Sequence, residues 1–194
     1  MLGIEHYAPK FLSDKEELIK VHGDTLKSLI GQPILKSWVM WDLIEDEWWA
    51  ECPVILQIGD RKVELCAWKL DEFSITWDSI DIRTKPNWYD VDEIRIDWKE
   101  NAMQELNSCI GKTVQAVEII EYIFESTVVD SLNTDELGQT NSGWVLNGLG
   151  LVLDDGYVCI YNALDQNGIT NKPLTTSLIG GCFFSRTSRR HDIT

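Results

Sequence analysis

The chain carries a pattern that reads as a duplication, and self-similarity limits architecture more tightly than composition does. Leu26, Ser28, Ile30 and Gly31 recur as Leu106, Ser108, Ile110 and Gly111, an offset of 80 (106 − 26 = 80). Leu70-Asp71 with Ile75-Thr76 recurs as Leu164-Asp165 with Ile169-Thr170, an offset of 94 (164 − 70 = 94). The 14-residue difference (94 − 80 = 14) is expected to be one longer loop in the second copy. Each block reads as a short helical segment closed by glycine, a long strand, a hairpin and a Leu-Asp turn.

The local signals fill in this plan. Ser13 and Glu16 have capping-box spacing ahead of Leu18 and Ile19, so the first helix is expected to start at Ser13 and to break at Gly23-Asp24. Ile34 to Trp49 carries apolar residues on both parities, with Leu43 on the same parity as Leu35, Val39 and Trp41, which predicts a two-sided strand or strand pair. Pro53–Ile58, Gly59-Asp60 and Lys62–Trp68 predict a two-residue hairpin, and Ser74–Trp77 a short strand. Asp81 to Asp92, with Pro86, reads as a linker, and Ile94, Ile96 and Trp98 as a half-buried strand. Asn101 is expected to cap the next helix. Val114 to Phe124 reads as a long strand, Glu125 to Ser142 as a polar loop, and Trp144–Leu153 with Tyr157–Tyr161 as a second hairpin around Asp154-Asp155-Gly156.

The expected fold is α+β and sheet-dominated: an internal duplication of a helix plus antiparallel β-meander unit. Its divisions are an N-terminal helical segment (1–25), a first repeat (26–80), a linker with strand and helix start (81–105), a second repeat (106–170) and a C-terminal tail (171–194), in one compact domain. The 194 residues, 44% hydrophobic and 25% charged, suit such a domain.

Composition narrows function mainly by exclusion. With 17 basic and 32 acidic residues the formal charge is −15, which repels nucleic acid and anionic membranes and favours a cationic partner. No apolar stretch has the length of a bilayer span. Met1 to Lys20 shows no apolar leader core, and the five cysteines (Cys52, Cys66, Cys109, Cys159 and Cys182) include no C-x-x-C pair, so free thiols in a reducing cytoplasm are expected.

Catalytic signatures are missing from the pattern. His6, His22 and His191 show no metal-ligand spacing, and no cofactor or metal is expected. No G-x-S-x-G or Walker motif occurs, and Asn147-Gly148-Leu149-Gly150 lies in a strand pattern where close packing explains the glycines. Asp71 and Asp165 are expected to bond their own turn backbones. Asp165-Gln166-Asn167-Gly168 lacks the closing acidic ligands of a calcium loop.

Nine tryptophans remain, eight of them before residue 100. Trp41, Trp48 and Trp49 stand beside Glu45, Asp46 and Glu47, and some of the eight are expected at the surface as a contact face. Aromatic anchors among steering charges suit protein recognition. The expected function is a non-enzymatic cytoplasmic module that binds a cationic protein through Trp41, Glu45, Asp46, Glu47, Trp48 and Trp49, in the class of immunity or inhibitor proteins. The alternative is a carbohydrate- or small-ligand-binding or hydrolytic protein with a pocket between the repeats, since paired acids near aromatics also occur in glycosidase clefts.

Overall fold

The computed structural model describes residues 2–87, 94–127, 140–174 and 188–193. Strand β1 (Phe11–Leu12) precedes helix α1 (Lys15–Lys27). Asp14, not Ser13, caps that helix: its backbone is extended and its Oδ1 accepts from Glu17 N at 2.8 Å. The helix also runs through Gly23 instead of breaking there. Gly23 is buried, Leu18 and Leu26 bury the helix's apolar side, and this packing outweighs a glycine penalty of about 1 kcal/mol.

Six strands follow: β2 (Ile34–Asp42), β3 (Glu47–Trp48), β4 (Val54–Ile58), β5 (Arg61–Trp68), β6 (Glu72–Trp77) and β7 (Ile96–Glu100). They form an antiparallel sheet in the order β1-β6-β5-β4-β2-β3, with β7 pairing β2 as well. Helix α2 (Gln104–Asn107) then leads into β8 (Val114–Thr127), β9 (Thr140–Leu153), β10 (Gly156–Asn162), β11 (Asn167–Thr170) and β12 (Ser188–Ile193). This second antiparallel sheet has the order β11-β10-β9-β8-β12. The structure is therefore sheet-dominated α+β. No described helix is long and apolar enough to cross a membrane.

Three expectations need correction. Asn101 does not cap α2, whose N-cap is Met103 without a side-chain bond; its Oδ1 accepts from Ser37 N at 3.0 Å, tying β7 to β2. The polar stretch Glu125 to Ser142 is strand at both ends, because β8 and β9 stay paired out to Thr127 and Thr140; residues 128–139 lie outside the described residues. The C-terminal tail ends in a strand, β12, paired with β8. Within it, Arg186 and Cys182 lie outside the described residues, as do Trp88 and residues 88–93 of the linker.

The two sheets meet through a reciprocal set of backbone bonds. Gly31 N donates to Val114 O at 2.8 Å and Gly111 N to Ile34 O at 2.7 Å. Ile34 N donates to Lys112 O at 2.9 Å and Val114 N to Gln32 O at 3.0 Å. Each bond has its counterpart 80 residues away, around an antiparallel bridge between Pro33 and Thr113. Gly31 (φ 83°) and Gly111 (φ 84°) turn the chain into this bridge; their backbone is left-handed, which only glycine adopts without strain.

The second sequence match behaves differently. In the first hairpin Lys69, Leu70 and Asp71 link Trp68 to Glu72; in the second, Ala163, Leu164, Asp165 and Gln166 link Asn162 to Asn167. The two Leu-Asp pairs thus sit in turns of different length. Nor does the Asp165 carboxylate bond its own turn: Oδ1 accepts from Lys69 N at 2.5 Å, across the halves.

One core cluster joins both sheets to α1. Leu56, Leu65 and Phe73 of the first sheet share it with Val117, Leu149 and Ile160 of the second and with Leu18 and Leu26. A second cluster covers the other face of the first sheet, where Leu2, Ile4 and Tyr7 lie over Trp38, Met40, Ile55 and Cys66. Gly148 has no space for a Cβ against Ile160 O and Tyr161, so close strand packing explains this glycine of the Asn147–Gly150 run.

Buried amides rivet the halves at the opposite end from the Pro33 bridge. Asn167 Nδ2 donates to Ala50 O and Cys52 O, and its Oδ1 accepts from Ala67 N, all at 2.8 Å. Asn162 Nδ2 approaches Trp68 O, Lys69 O and Glu72 O at 3.2–3.3 Å. Asn167→Ala removes the side-chain partners of the Ala67 N–H and the Cys52 carbonyl, while Ala50 O keeps the backbone N–H of residue 167 at 2.9 Å, so we expect a loss of about 2 kcal/mol in urea unfolding. An unchanged midpoint would show that these bonds do not hold the halves.

Candidate functional site

The sequence-derived residues come together in one hairpin. β2 and β3 pair through Trp41 with Trp48 and Asp42 with Glu47, leaving Leu43 to Asp46 as the turn. Asp42 is buried, and its Oδ1 accepts from Ile44 N at 2.7 Å and Glu45 N at 3.1 Å. That arrangement fixes the turn from inside, as aspartate does by folding back on nearby N–H groups. Asp46 closes the turn with a left-handed backbone (φ 53°), a conformation aspartate tolerates better than most residues.

The side chains divide by depth. Leu43 and Ile44 are 51% and 56% exposed, more than any other large apolar side chain described. This corrects the assignment of Leu43 to a buried strand parity: the strand ends at Asp42 and the turn carries Leu43 outward. Glu45, Asp46 and Glu47 are exposed too. Trp41 and Trp48 are half-buried against the shared core, while Trp49 packs on the second cluster across the sheet. The tryptophan face expected from sequence is therefore mostly turned inward. Among the described tryptophans Trp144 is the most exposed, and its ring centroid lies 4.1 Å from the Arg189 guanidinium carbon.

Sequence reasoning missed Lys99. Its Nζ lies 3.7 Å from the Trp41 ring centroid and 3.6 Å from Asp46 Oδ1, the same oxygen that accepts Trp41 Nε1–H at 2.8 Å. The indole N–H, followed by the Lys99 charge, holds the Asp46 carboxyl below its usual range. No local signal marks Lys99, because only the β2–β7 register, with Val39 opposite Lys99, brings it there.

Most other chemistry-bearing groups are committed to the fold. Glu64 is fully buried and accepts from Ser79 N (2.8 Å), Ser79 Oγ (2.7 Å) and Ile80 N (3.0 Å). His22 Nδ1 accepts Trp77 Nε1–H at 3.2 Å, and burial pulls its pKa down. Cys52, Cys66, Cys109 and Cys159 are free and buried, and burial pushes the Cys66 thiol up to about 12. Among the described residues no group of three or more His, Cys, Asp or Glu is placed to hold a metal ion. A shared core packs between the halves, where the alternative reading puts a pocket. A groove of about 520 Å³ lies on the first half, between Lys36, Trp38, Lys62 and Arg83, and Arg83 there is paired to Asp81 at 2.7 Å.

Strand β12, which carries Arg189, Arg190 and His191, is committed as well. Arg189 Nε donates to Glu121 Oε2 at 2.7 Å, His191 Nε2 lies 2.6 Å from the same oxygen, and Lys15 of α1 lies 3.5 Å away. Arg190 Nη1 and the Tyr157 hydroxyl both bond the neighbouring Glu118 at 2.8–3.3 Å. Consecutive arginines of β12 thus serve two buried carboxylates of β8.

Comparison with family models, with curated proteins and with solved structures returns no match. The site has to be read from its own geometry.

The Glu121 cluster yields a pH prediction. Burial raises the Glu121 pKa, but the Arg189 and His191 bonds and the Lys15 charge prevail, and the net shift is downward. A carboxyl lowered in the folded state stabilises above its unfolded pKa, about 4.3, and that contribution vanishes as pH falls through the folded value. Glu121→Gln is expected to cost about 2 kcal/mol at pH 7, because the side chain is only 6% exposed and its loss leaves partly buried cations unpaired. Urea unfolding of both forms from pH 7 downward checks this: the difference should shrink below about pH 4, and a constant difference would refute it.

Proposed function

We propose that the chain is a non-catalytic binding protein that engages a basic surface of a partner protein through the β2–β3 turn, in the manner of an inhibitor or immunity protein. The observation that carries this reading is the turn itself. It presents the two most exposed large apolar side chains among the described residues, Leu43 and Ile44, beside exposed Glu45, Asp46 and Glu47. The backbone beneath them is pinned by Asp42. A surface already in its binding conformation loses little entropy on association. The formal charge of −15 draws a cationic partner and repels phosphate-rich ones.

In this reading the tryptophans have a different role from the one their abundance suggests. Trp41 and Trp48 root the hairpin in the core, and Leu43 and Ile44 make the apolar contact. We place the protein in a reducing cytoplasm, with four buried free thiols as support. We also infer that the two halves derive from one duplicated unit. Support comes from the reciprocal bonds at an offset of 80 and from the shared plan of helix, long strand, hairpin and returning strand. The unequal Leu-Asp turns are then later divergence.

The test is kinetic. Protein recovered from the native host on the immobilised chain should be basic, and its association should slow as salt passes about 0.1 M, where charges are screened beyond roughly 10 Å. Glu45→Gln with Glu47→Gln should slow association, while Leu43→Ala with Ile44→Ala should speed dissociation about ten-fold or more. Recovery of no partner, or binding indifferent to all four substitutions, refutes the reading.

A further inference from the structure

The β2–β3 turn holds a second feature beside its apolar tip. The Trp41 ring and the Asp46 carboxylate together face one cation, the Lys99 ammonium, at 3.7 Å and 3.6 Å. The two halves of this cage are fixed to each other, because Trp41 Nε1 donates to the carboxylate oxygen that faces Lys99. An aromatic face next to a carboxylate is a general receptor for organic cations. Its present occupant is lightly held. The Lys99 side chain is 47% exposed and that of Asp46 85%, and ion pairs this open to water exchange readily. Lys99 is also delivered by a strand at the sheet edge, so its side chain can swing into solvent without disturbing the β2–β7 pairing.

We propose that Trp41 and Asp46 form a receptor for an arginine side chain of the partner, with Lys99 as an internal placeholder that the arginine displaces. This rests on the reading of the turn as a docking surface, and it names the group recognised there. A guanidinium fits the cage better than the ammonium it replaces. It is planar, so it stacks on the indole, and it can direct two parallel N–H groups at one carboxylate. An ammonium offers a compact, strongly hydrated charge to the same surface. Exchange of one cation for another leaves the cage charge unchanged, so the receptor contributes selectivity for arginine over lysine. Leu43 and Ile44, on the same turn, supply the neighbouring apolar contact.

The experiment uses the full chain and two defined probes, an oligoarginine peptide and an oligolysine peptide of the same length. Binding is read by calorimetry and by the indole N–H resonance of Trp41. The arginine peptide should bind more tightly and should move that resonance. Lys99→Gln should raise its affinity roughly two- to five-fold, the range set by a cation–π contact at an exposed site. Lys20→Gln removes the same charge from α1 and should leave affinity near that of the parent. Asp46→Asn suits the turn's left-handed backbone and should lower affinity and the preference for arginine. Equal binding of the two peptides, or equal effects of Lys99→Gln and Lys20→Gln, overturns the receptor. If Glu45→Gln with Glu47→Gln weakens peptide binding while Lys99→Gln does nothing, the acidic turn survives as a docking surface and the receptor falls. Indifference to all of these variants overturns both.

Discussion

Everything in this molecule depends on the junction where the chain crosses between its halves. Gly31 to Ile34 and Gly111 to Val114 satisfy one another's backbone groups, and neither stretch can do so alone. Ile34 and Val114 are buried here, and their N–H groups find their partners across the junction, so the junction helps to set how the two sheets face each other. The apolar faces then have one place to go. Leu56, Leu65 and Phe73 meet Val117, Leu149 and Ile160 in a single core, and separating the halves would expose both faces at once.

Polar groups stabilise this arrangement by being fully used. Asn162 and Asn167 bond carbonyls of the first half, and Tyr122 donates to Leu70 O at 2.7 Å. At the other edge of the second sheet, Glu118 and Glu121 draw β12 onto β8 through Arg190, Arg189 and His191. Edge strands invite unwanted pairing, and charged side chains discourage it. The basic end of an acidic chain therefore acts as a charged edge strand with its charges spent on buried partners.

The same economy explains where recognition can occur. Acids such as Asp42, Glu64, Glu118 and Glu121 are buried and bonded within the fold. Glu45, Asp46 and Glu47 are exposed on a turn whose backbone is already satisfied. Trp41 and Trp48, half-buried against the shared core, give that turn a root. Specificity on such a turn falls to what stands beside the charges: two aliphatic side chains and one aromatic–carboxylate cage.

The sequence by itself determined the local elements, because those depend on neighbours in the chain. The hairpin around Gly59-Asp60, the hairpin around Asp154-Asp155, the strand at Ile96 and the glycine-closed turns at Gly31 and Gly111 were legible in alternation and turn chemistry. So was the grouping of Trp41, Asp46 and Trp48, which are close in sequence. Only the tertiary structure decided what those residues do. Gly23 stays helical because the side chains around it are buried, Asn101 binds Ser37 instead of capping a helix, and Asp165 binds Lys69 in the other half. Depth at Trp41 and the arrival of Lys99 follow from the pairing of β2 with β7, whose partners lie far apart along the chain. Local spacing carries periodicity and turn preference, whereas burial and long-range register arise only when distant strands meet.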